Sequence, residues 1–109
     1  MTATYVTAMP SFGQINDIDI EFYVEAFLQR WDSENTRRAY RSDIETLQTW
    51  CTAHGLGLFS LHRMHLEVFM RYLADERANS ATTILHRIGT ISQFYDLAVE
   101  DGLSAKNPT

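Results

Sequence analysis

The stretch that decides the fold is residues 33–54, SENTRRAYRSDIETLQTWCTAH, which Gly55 follows. Its apolar residues recur at steps of four, three and four positions: Tyr40, Ile44, Leu47 and Cys51. This spacing stacks them along one side of a helix, so that side is predicted to face a core. A side-chain oxygen of Ser33 or Asn35 can cap the start of the helix by accepting from a backbone N–H of the first turn. Gly55 can adopt the left-handed conformation that ends many helices, so the stretch is predicted to be one complete helix.

Three arginines give this helix the densest basic cluster in the chain. Arg37, Arg38 and Arg41 fall within an arc of about 100° and point away from the core side. Glu34 lies four residues before Arg38, which is the spacing of a surface ion pair. Glu45 lies four residues after Arg41 and can pair with it in the same way. The cluster by itself is therefore compatible with a merely solvated face. Because Arg37 has no acid at this spacing, we expect it to be more important for binding than Arg38.

The position of the cluster favours a phosphate-binding surface. Ser33 and Thr36 add hydroxyl groups at the same helix end, where unpaired backbone N–H groups attract anions. A second polar surface is predicted on a later helix, with Arg87 at its edge: Thr82, Thr83, His86, Thr90 and Gln93. Residues 80–95 contain no acid, and such side chains can bond to base edges in a DNA groove. The two surfaces suggest a shared ligand.

The segments around the arginine-bearing helix complete a helical domain. Residues 1–16 have no periodicity and are predicted to be a flexible lead-in. A first helix, about residues 19–31, is predicted from the series Ile20, Val24, Phe27 and Trp31. After Gly55 comes a short apolar connection, in which Phe59 and Leu61 are expected to pack on the core. A single apolar run has no second strand to pair with, so we interpret it as a loop.

Two more helices follow the connection. The third is predicted from His62 or Met64 to Arg77, with Leu66, Phe69, Met70 and Leu73 facing inward. The fourth, from Ser80 to about Asp101, carries the inward series Ile84, Ile88, Ile91, Tyr95 and Ala98 and ends at Gly102. Four helices with short loops predict an all-α fold, a compact bundle of four main helices. The helical domain is predicted to span residues 17–105, and residues 106–109 to begin a linker.

Length and charge restrict the possible functions. The 109 residues suit one domain with one core. The chain has no apolar run of about 18 residues, and residues 1–16 lack the features of a secretory signal, so we predict a cytoplasmic protein with no membrane partner. The net charge of −5 argues against a polyanionic partner. The acids, however, concentrate near the two ends, and the local surface decides whether DNA can approach.

The sequence contains no pattern typical of catalysis or cofactor binding. His62 and His65 can place two imidazoles on one helix face, but no further ligand has a suitable spacing for a metal site. No G-x-S-x-G turn presents a nucleophile. Cys51 is the single cysteine and lies on a predicted core face, which favours a buried hydrophobic role. We therefore predict no metal, no cofactor and no enzyme activity for this chain by itself.

Two segments resemble a known family. D-S-E-N-T-R-R-A-Y-R-S-D-I-x-x-L-x-x-W-C, residues 32–51, resembles the second helix of the core-binding domain of tyrosine recombinases and phage integrases. S-A-T-T-I-L-H-R-I-G-T-I-S-Q-F-Y, residues 80–95, then A-V-E-D-G-L and the N-P at 107 and 108, are similar to the fourth helix and exit of that domain. The resemblance implies a SAM-like domain of two crossed helical hairpins, which forms one half of a C-shaped clamp around the core recombination site. It also implies a catalytic domain after the N-P, so Tyr40 and Tyr95 are not expected to be nucleophiles.

The resemblance also implies contact residues and partners. On the second helix the implied DNA-binding residues are Ser33, Thr36, Arg37, Ala39 and Arg41, to which the arginine cluster adds Arg38. On the fourth helix they are Thr82, Thr83, His86, Arg87 and Thr90. Thr82 replaces a lysine that relatives carry there. The implied partners are double-stranded DNA, the C-terminal catalytic domain of the same protein and, at full length, other recombinase protomers. The alternative is a helical protein-interaction module that binds a partner through the apolar residues of its third helix, without direct DNA contact.

Overall fold

A computed structural model of the chain describes residues 17–109 and contains four α-helices in that part. They are α1 (Asp17–Leu28), α2 (Glu34–Ala53), α3 (Arg63–Asp75) and α4 (Ala81–Glu100), and a short 3-10 turn, Leu58–Ser60, precedes α3. The described residues include no strand, and the predicted all-α class with four main helices is confirmed. Within the same range, no helix is long and apolar enough to cross a membrane. The lead-in predicted for residues 1–16 lies outside the described residues.

Side-chain caps and left-handed residues set the ends of the two longest helices. Ser33 caps α2, because its Oγ accepts from the N–H of Thr36 at 3.2 Å. Ser80 caps α4 in the same way, through the N–H of Thr83 at 3.2 Å. After α2, Gly55 has a φ of 67°, in the region that favours glycine because it has no Cβ. The predicted start and end of α2 are thereby confirmed.

Two of the predicted helices end earlier than expected. The α1 helix ends at Leu28, and the N–H groups of Arg30 and Trp31 bond back only three residues, to the carbonyls of Phe27 and Leu28. Trp31 still packs edge-on against Phe27, with ring centroids 5.0 Å apart, so it keeps the inward role that its spacing predicted. The α3 helix ends at Asp75, two residues before Arg77.

The core is formed where α2 packs against both α1 and α4, while α3 packs against α4. Its buried members are Val24, Phe27, Leu28, Ile44, Leu47, Trp50, Cys51, Leu58, Leu61, Leu66, Phe69, Leu73, Ile91, Phe94 and Tyr95. Of the predicted series of α2 and α4, Tyr40, Ile84 and Ile88 are only partly buried and pack against this cluster. Leu61 is buried and Phe59 is packed against the cluster, as predicted for the connection. Since α2 and α4 meet at the centre, their outer faces lie side by side.

The residues after α4 return to that helix. The side-chain amide of Asn107 donates to the carbonyl of Ser92 at 3.0 Å and to Oδ1 of Asp96 at 2.8 Å, and Pro108 is buried. These contacts hold residues 107–108 against the last turns of α4. The linker predicted for residues 106–109 stays a prediction.

Candidate nucleic-acid interface

Arg37 secures the turn between α1 and α2. Its Nη1 donates to the carbonyls of Trp31 and Asp32, at 2.6 and 3.0 Å. Both carbonyls follow the end of α1. The expectation that Arg37 is more important for binding than Arg38 rested on Arg37 having no acid four residues away. Its guanidinium is instead held by two backbone carbonyls, and the ranking of the two arginines stays a prediction.

Arg41 is held by a carboxylate from another helix. Its Nε donates to Oε2 of Glu25 at 3.1 Å, and its Nη2 donates to Oε1 of the same side chain at 2.7 Å. The pair joins α2 to α1 and remains partly solvated, with side-chain exposures of 35% for Arg41 and 51% for Glu25. The predicted partner Glu45 is therefore wrong, because the carboxylate of α1 reaches the guanidinium in a two-pronged geometry that Arg–carboxylate pairs favour.

Arg38 is the most exposed arginine of the cluster. Its Nη2 lies 3.9 Å from Oε2 of Glu34, with side-chain exposures of 68% and 81%, as the i,i+4 spacing predicted. Its Nη1 also donates to Oδ1 of Asn35 at 3.0 Å. An ion pair this long and this exposed contributes little free energy, so it hardly restrains the guanidinium. Arg38 can therefore reach an incoming phosphate by giving up only these exposed contacts within its own helix.

The helical geometry turns the whole arginine cluster, which spans about 100°, away from the side of α2 that faces α4. Asp43 marks the side that faces α4, because it bonds to residues of that helix. Ala39 and Ser42 are exposed. Measured around the axis of α2, they lie about 40° and about 100° from Asp43 in one direction. Arg37 and Arg41 lie about 120° and about 160° from Asp43 in the opposite direction, towards α1. Ser42, which the sequence reasoning missed, is exposed on the side of α2 that is turned away from α1.

On α4, the predicted polar strip is partly exposed and partly buried. Thr82 and His86 are exposed, and Thr83 is half-buried beside the Ser80 cap. Thr90 does not belong to the exposed strip, because it is 2% exposed and its Oγ1 donates to Oδ2 of Asp43 at 2.8 Å. A hydroxyl in that position cannot contact a DNA base without leaving the core.

Arg87 is likewise turned inward. Its Nη1 donates to Oδ1 of Asp43 at 3.0 Å, and the exposures of the two side chains are 15% and 11%. Asp43 was missed by the sequence reasoning, although it precedes Ile44 of the core series. An acid next to a predicted core face indicates that a cation from another helix could pair with it. The sequence does not indicate which cation, because the partner, Arg87, lies 44 positions away on another helix.

The remaining candidates for chemistry have structural roles. Nδ1 of His65 accepts from the backbone N–H of His62 at 2.9 Å, at the start of α3. Between residues 17 and 109, no group of three or more His, Cys, Asp or Glu side chains could hold a metal ion. Burial raises the pKa of the Cys51 thiol to about 11, and it raises the pKa of Tyr95 well above the ordinary range. The Tyr95 hydroxyl donates to the carbonyl of Leu58, which ties α4 to the 3-10 turn.

Comparison with known proteins identifies the family. Residues 10–102 match the family model described as phage integrase, N-terminal SAM-like domain. Tyrosine recombinase XerD of Xanthomonas axonopodis pv. citri (strain 306) is 33% identical over 92 residues, which cover 79% of this chain and 30% of that protein. Tyrosine recombinase XerC of Pediococcus pentosaceus is 34% identical over 83 residues, covering 74% of this chain and 27% of that protein.

A third relative matches a similar share of the chain. Tyrosine recombinase XerD of Rhizobium meliloti (strain 1021) is 29% identical over 92 residues, covering 80% of this chain and 29% of that protein. The chain thus matches less than a third of the length of these relatives. No solved structure matches it significantly. From the family match over most of its residues, the chain belongs to the phage integrase N-terminal SAM-like domain family.

Proposed function

We propose that this chain is the DNA-binding domain of a tyrosine site-specific recombinase and grips the core recombination site as one half of a clamp. Its relatives are named tyrosine recombinases, and it matches less than a third of their length. The remaining part of such a protein would supply the catalytic domain, with which this domain would enclose the DNA. Other protomers of the recombinase are the further partners, and the protein works in the cytoplasm with its DNA.

The observation that carries the proposal is a set of mostly exposed residues on α2 and α4, the two helices that pack together at the centre of the fold. We call it the α2–α4 face and define it as follows: Arg38, Ala39, Ser42, Thr82, Thr83 and His86. None of these six residues is an acid, although Glu34 lies 3.9 Å from Arg38. Arg38 supplies a charge for a phosphate, and the hydroxyl and imidazole groups supply donors and acceptors for base edges. The capped N-termini of both helices add positive partial charge, which favours phosphate groups.

The same contacts predict a weak interaction by this chain alone. Arg37, Arg41 and Arg87 bond to groups of the protein itself. A binding surface with few available cations neutralises few phosphates, and phosphate neutralisation supplies most non-specific affinity. We expect a Kd of about 10⁻⁴ to 10⁻⁶ M for a duplex without the recombination site.

The rival function is a protein-interaction module, and a specific surface favours it. Met64, Val68 and Leu85 are exposed by 63%, 57% and 69%. Leu85 also lines a largely apolar groove between α3 and α4, together with Met70 and Ile84. An amphipathic helix of a partner can bind such a groove.

Nuclear magnetic resonance separates the two functions. The isotope-labelled 109-residue chain is titrated with a mixed-sequence duplex of about 20 base pairs, two helical turns. DNA binding is expected to shift the amide signals of residues 33–42 and 80–86. Shifts confined to residues 62–77, or no shift at all at millimolar duplex, would contradict the DNA-binding proposal and leave the interaction module.

A matched pair of arginine variants tests the phosphate contact. Arg38→Ala is expected to reduce the slope of log K against log salt by about 0.9, the loss of one phosphate contact. Arg63 is the control, because it forms a similar i,i+4 pair with Glu67 at 3.8 Å on α3, with exposures of 78% and 69%. Equal slopes for the Arg38→Ala and Arg63→Ala variants would remove Arg38 from the proposed phosphate surface.

A further inference from the structure

One carboxylate on α2 bonds to two neighbouring turns of α4. Oδ1 of Asp43 accepts from Nη1 of Arg87 at 3.0 Å, and Oδ2 accepts from Oγ1 of Thr90 at 2.8 Å. The two donors are three residues apart and so lie on one face of α4. Because each oxygen has its own donor, the orientation of the carboxylate is fixed.

The guanidinium of Arg87 extends this network to a third part of the fold. Its Nη1 lies 3.4 Å from Oγ1 of Thr46, nearly one turn after Asp43 on α2. Its Nε donates to Oδ1 of Asn79 at 3.3 Å, in the connection between α3 and α4. The backbone N–H of Asn79 donates to the carbonyl of Leu73 at 2.9 Å. One side chain therefore contacts α2 and the α3–α4 connection while it belongs to α4.

Because this network is buried, it contributes more to the relative orientation of α2 and α4 than to the free energy of unfolding. Counted as whole residues, Asp43 and Thr90 are 8% and 2% exposed, and the side chains of Arg87 and Asp43 keep 15% and 11% of their surface. The cost of taking two charges out of water is comparable to the attraction gained, so an apolar contact could hold the helices equally well. Hydrogen bonds are directional, and a slip of α4 by one residue would turn its face by about 100° and remove both donors from Asp43.

We propose that Asp43, Arg87 and Thr90 are positioning residues that set the rotation of α4 against α2. Ser42 directly precedes Asp43 on α2, and His86 directly precedes Arg87 on α4. The three residues thereby fix the distance between Ser42 and His86, which belong to the α2–α4 face. This role rests on the proposed DNA-binding function. Arg87 itself takes no DNA phosphate, because a phosphate would have to displace Asp43 and leave a carboxylate buried without its partner.

The orientation of the two helices is the first measurement. Thr90→Val keeps the shape of the side chain and removes the hydroxyl that bonds to Asp43. The matched control is Thr52→Val, because Thr52 is exposed and its hydroxyl donates to the Gln48 carbonyl of its own helix at 3.0 Å. Residual dipolar couplings of backbone amides are expected to show a changed angle between α2 and α4 in the Thr90→Val variant, with each helix intact. Thr52→Val is expected to match the wild type.

A stabilising contact without a positioning role gives a different result. In that case Thr90→Val lowers the melting temperature but leaves the couplings of the folded chain unchanged, and the proposal is overturned. Asp43→Asn is the second variant, which retains the shape of Asp43 while removing its charge and one acceptor. It is expected to change the same interhelical angle, so the test does not depend on the folding of a single variant.

The salt dependence of DNA binding is the second measurement. Arg87→Gln is expected to weaken binding several-fold while the slope of log K against log salt stays at the wild-type value. If Arg87 were a phosphate ligand, this variant would reduce the slope by about 0.9. Asp43→Asn would then release Arg87 and strengthen binding, whereas a positioning role predicts weaker binding. A reduced slope for Arg87→Gln or tighter binding by Asp43→Asn overturns the proposal.

The two measurements distinguish this proposal from the proposed function. Absence of duplex binding by the wild-type chain refutes the DNA-binding function. The dipolar couplings of the Thr90→Val and Asp43→Asn variants still decide whether the network sets the helix orientation. Normal duplex binding with unchanged couplings in both variants refutes the positioning role alone.

Discussion

Replacing Glu25 by Gln is expected to strengthen DNA binding, although it weakens a contact within the protein. Glu25 holds the guanidinium of Arg41 through bonds of 2.7 and 3.1 Å, between α1 and α2. A phosphate that binds Arg41 must compete with this carboxylate. A neutral amide in the same place competes less, since charge-assisted hydrogen bonds are the stronger ones.

The exposure of the pair limits the size of the effect. Arg41 and Glu25 keep 35% and 51% of their side-chain surface, so solvent and salt screen their attraction. Exposed pairs contribute about 0 to 1 kcal/mol, and the two-pronged geometry places this pair near the upper end. Releasing about 1 kcal/mol lowers the Kd by about fivefold at most. If the freed guanidinium adds one phosphate contact, the slope of log K against log salt becomes steeper by about 0.9.

The assay is fluorescence anisotropy with a labelled duplex of about 20 base pairs, from about 50 to about 200 mM salt. Glu45→Gln is the matched control. It makes the same change in net charge, and Glu45 lies four residues from Arg41 on the exposed side of α2, but the carboxylate bonded to Arg41 is Glu25. The difference between the two variants therefore measures the release of Arg41, separately from the general effect of charge.

Two results would refute this reasoning. If Glu25→Gln and Glu45→Gln shift the Kd equally, the acids act through the overall field and Arg41 makes no phosphate contact. If Glu25→Gln weakens binding while Glu45→Gln strengthens it, the pair is needed to hold α1 against α2. Urea unfolding of both variants then shows whether the loss follows from reduced stability.

Three further predictions concern stability. Leu47→Ala removes a side chain that is 0% exposed, so it should cost about 2 to 5 kcal/mol in the free energy of unfolding measured with urea. Ser80→Ala and Ser33→Ala each remove a cap hydrogen bond and should each cost about 1 kcal/mol, with the loss of protection in hydrogen exchange confined to the first turn of α4 or α2. Folding raises the pKa of Cys51 from 9.0 to about 11 because burial disfavours the thiolate, so above pH 9 the unfolded chain binds fewer protons than the folded one. The free energy of unfolding should therefore fall as pH rises from 9 to about 11, and Cys51→Ala should make that fall shallower; an equally steep fall in the variant would assign it to other groups, such as Tyr95.

The features of the fold that could be predicted are those encoded in neighbouring residues. A helix repeats every 3.6 residues, so the series through Ile44, Leu47 and Cys51 identified the buried side of α2 without any tertiary information. The Ser33 cap was equally local, since its partner is three residues away. The end of α1 could not be predicted from neighbouring residues, because Trp31 continues the apolar spacing beyond the last helical residue. Its ring packs on that of Tyr40 in α2, with the ring centroids 4.9 Å apart.

The contacts of the candidate site were harder to predict because several of its side chains bond to residues of other helices. The sequence indicates which acids stand four residues from an arginine, and the pair of Glu34 and Arg38 forms as that spacing predicts. Arg41 instead pairs with an acid 16 residues away. An orientation that depends on how two helices pack cannot be read from the periodicity of either one.

These contacts also account for how an acidic chain could bind DNA as proposed. With a net charge of −5 and with Arg37 and Arg87 bonded to its own groups, the domain offers little attraction to a distant polyanion. Apart from the charge of Arg38, what the α2–α4 face offers is short-ranged and directional: hydroxyl groups, one imidazole and two capped helix ends. Such groups bond only when the duplex is already close and correctly oriented. In the proposed clamp, the rest of the protein must therefore bring the DNA to this domain, and the domain contributes more to the choice of site than to the strength of binding.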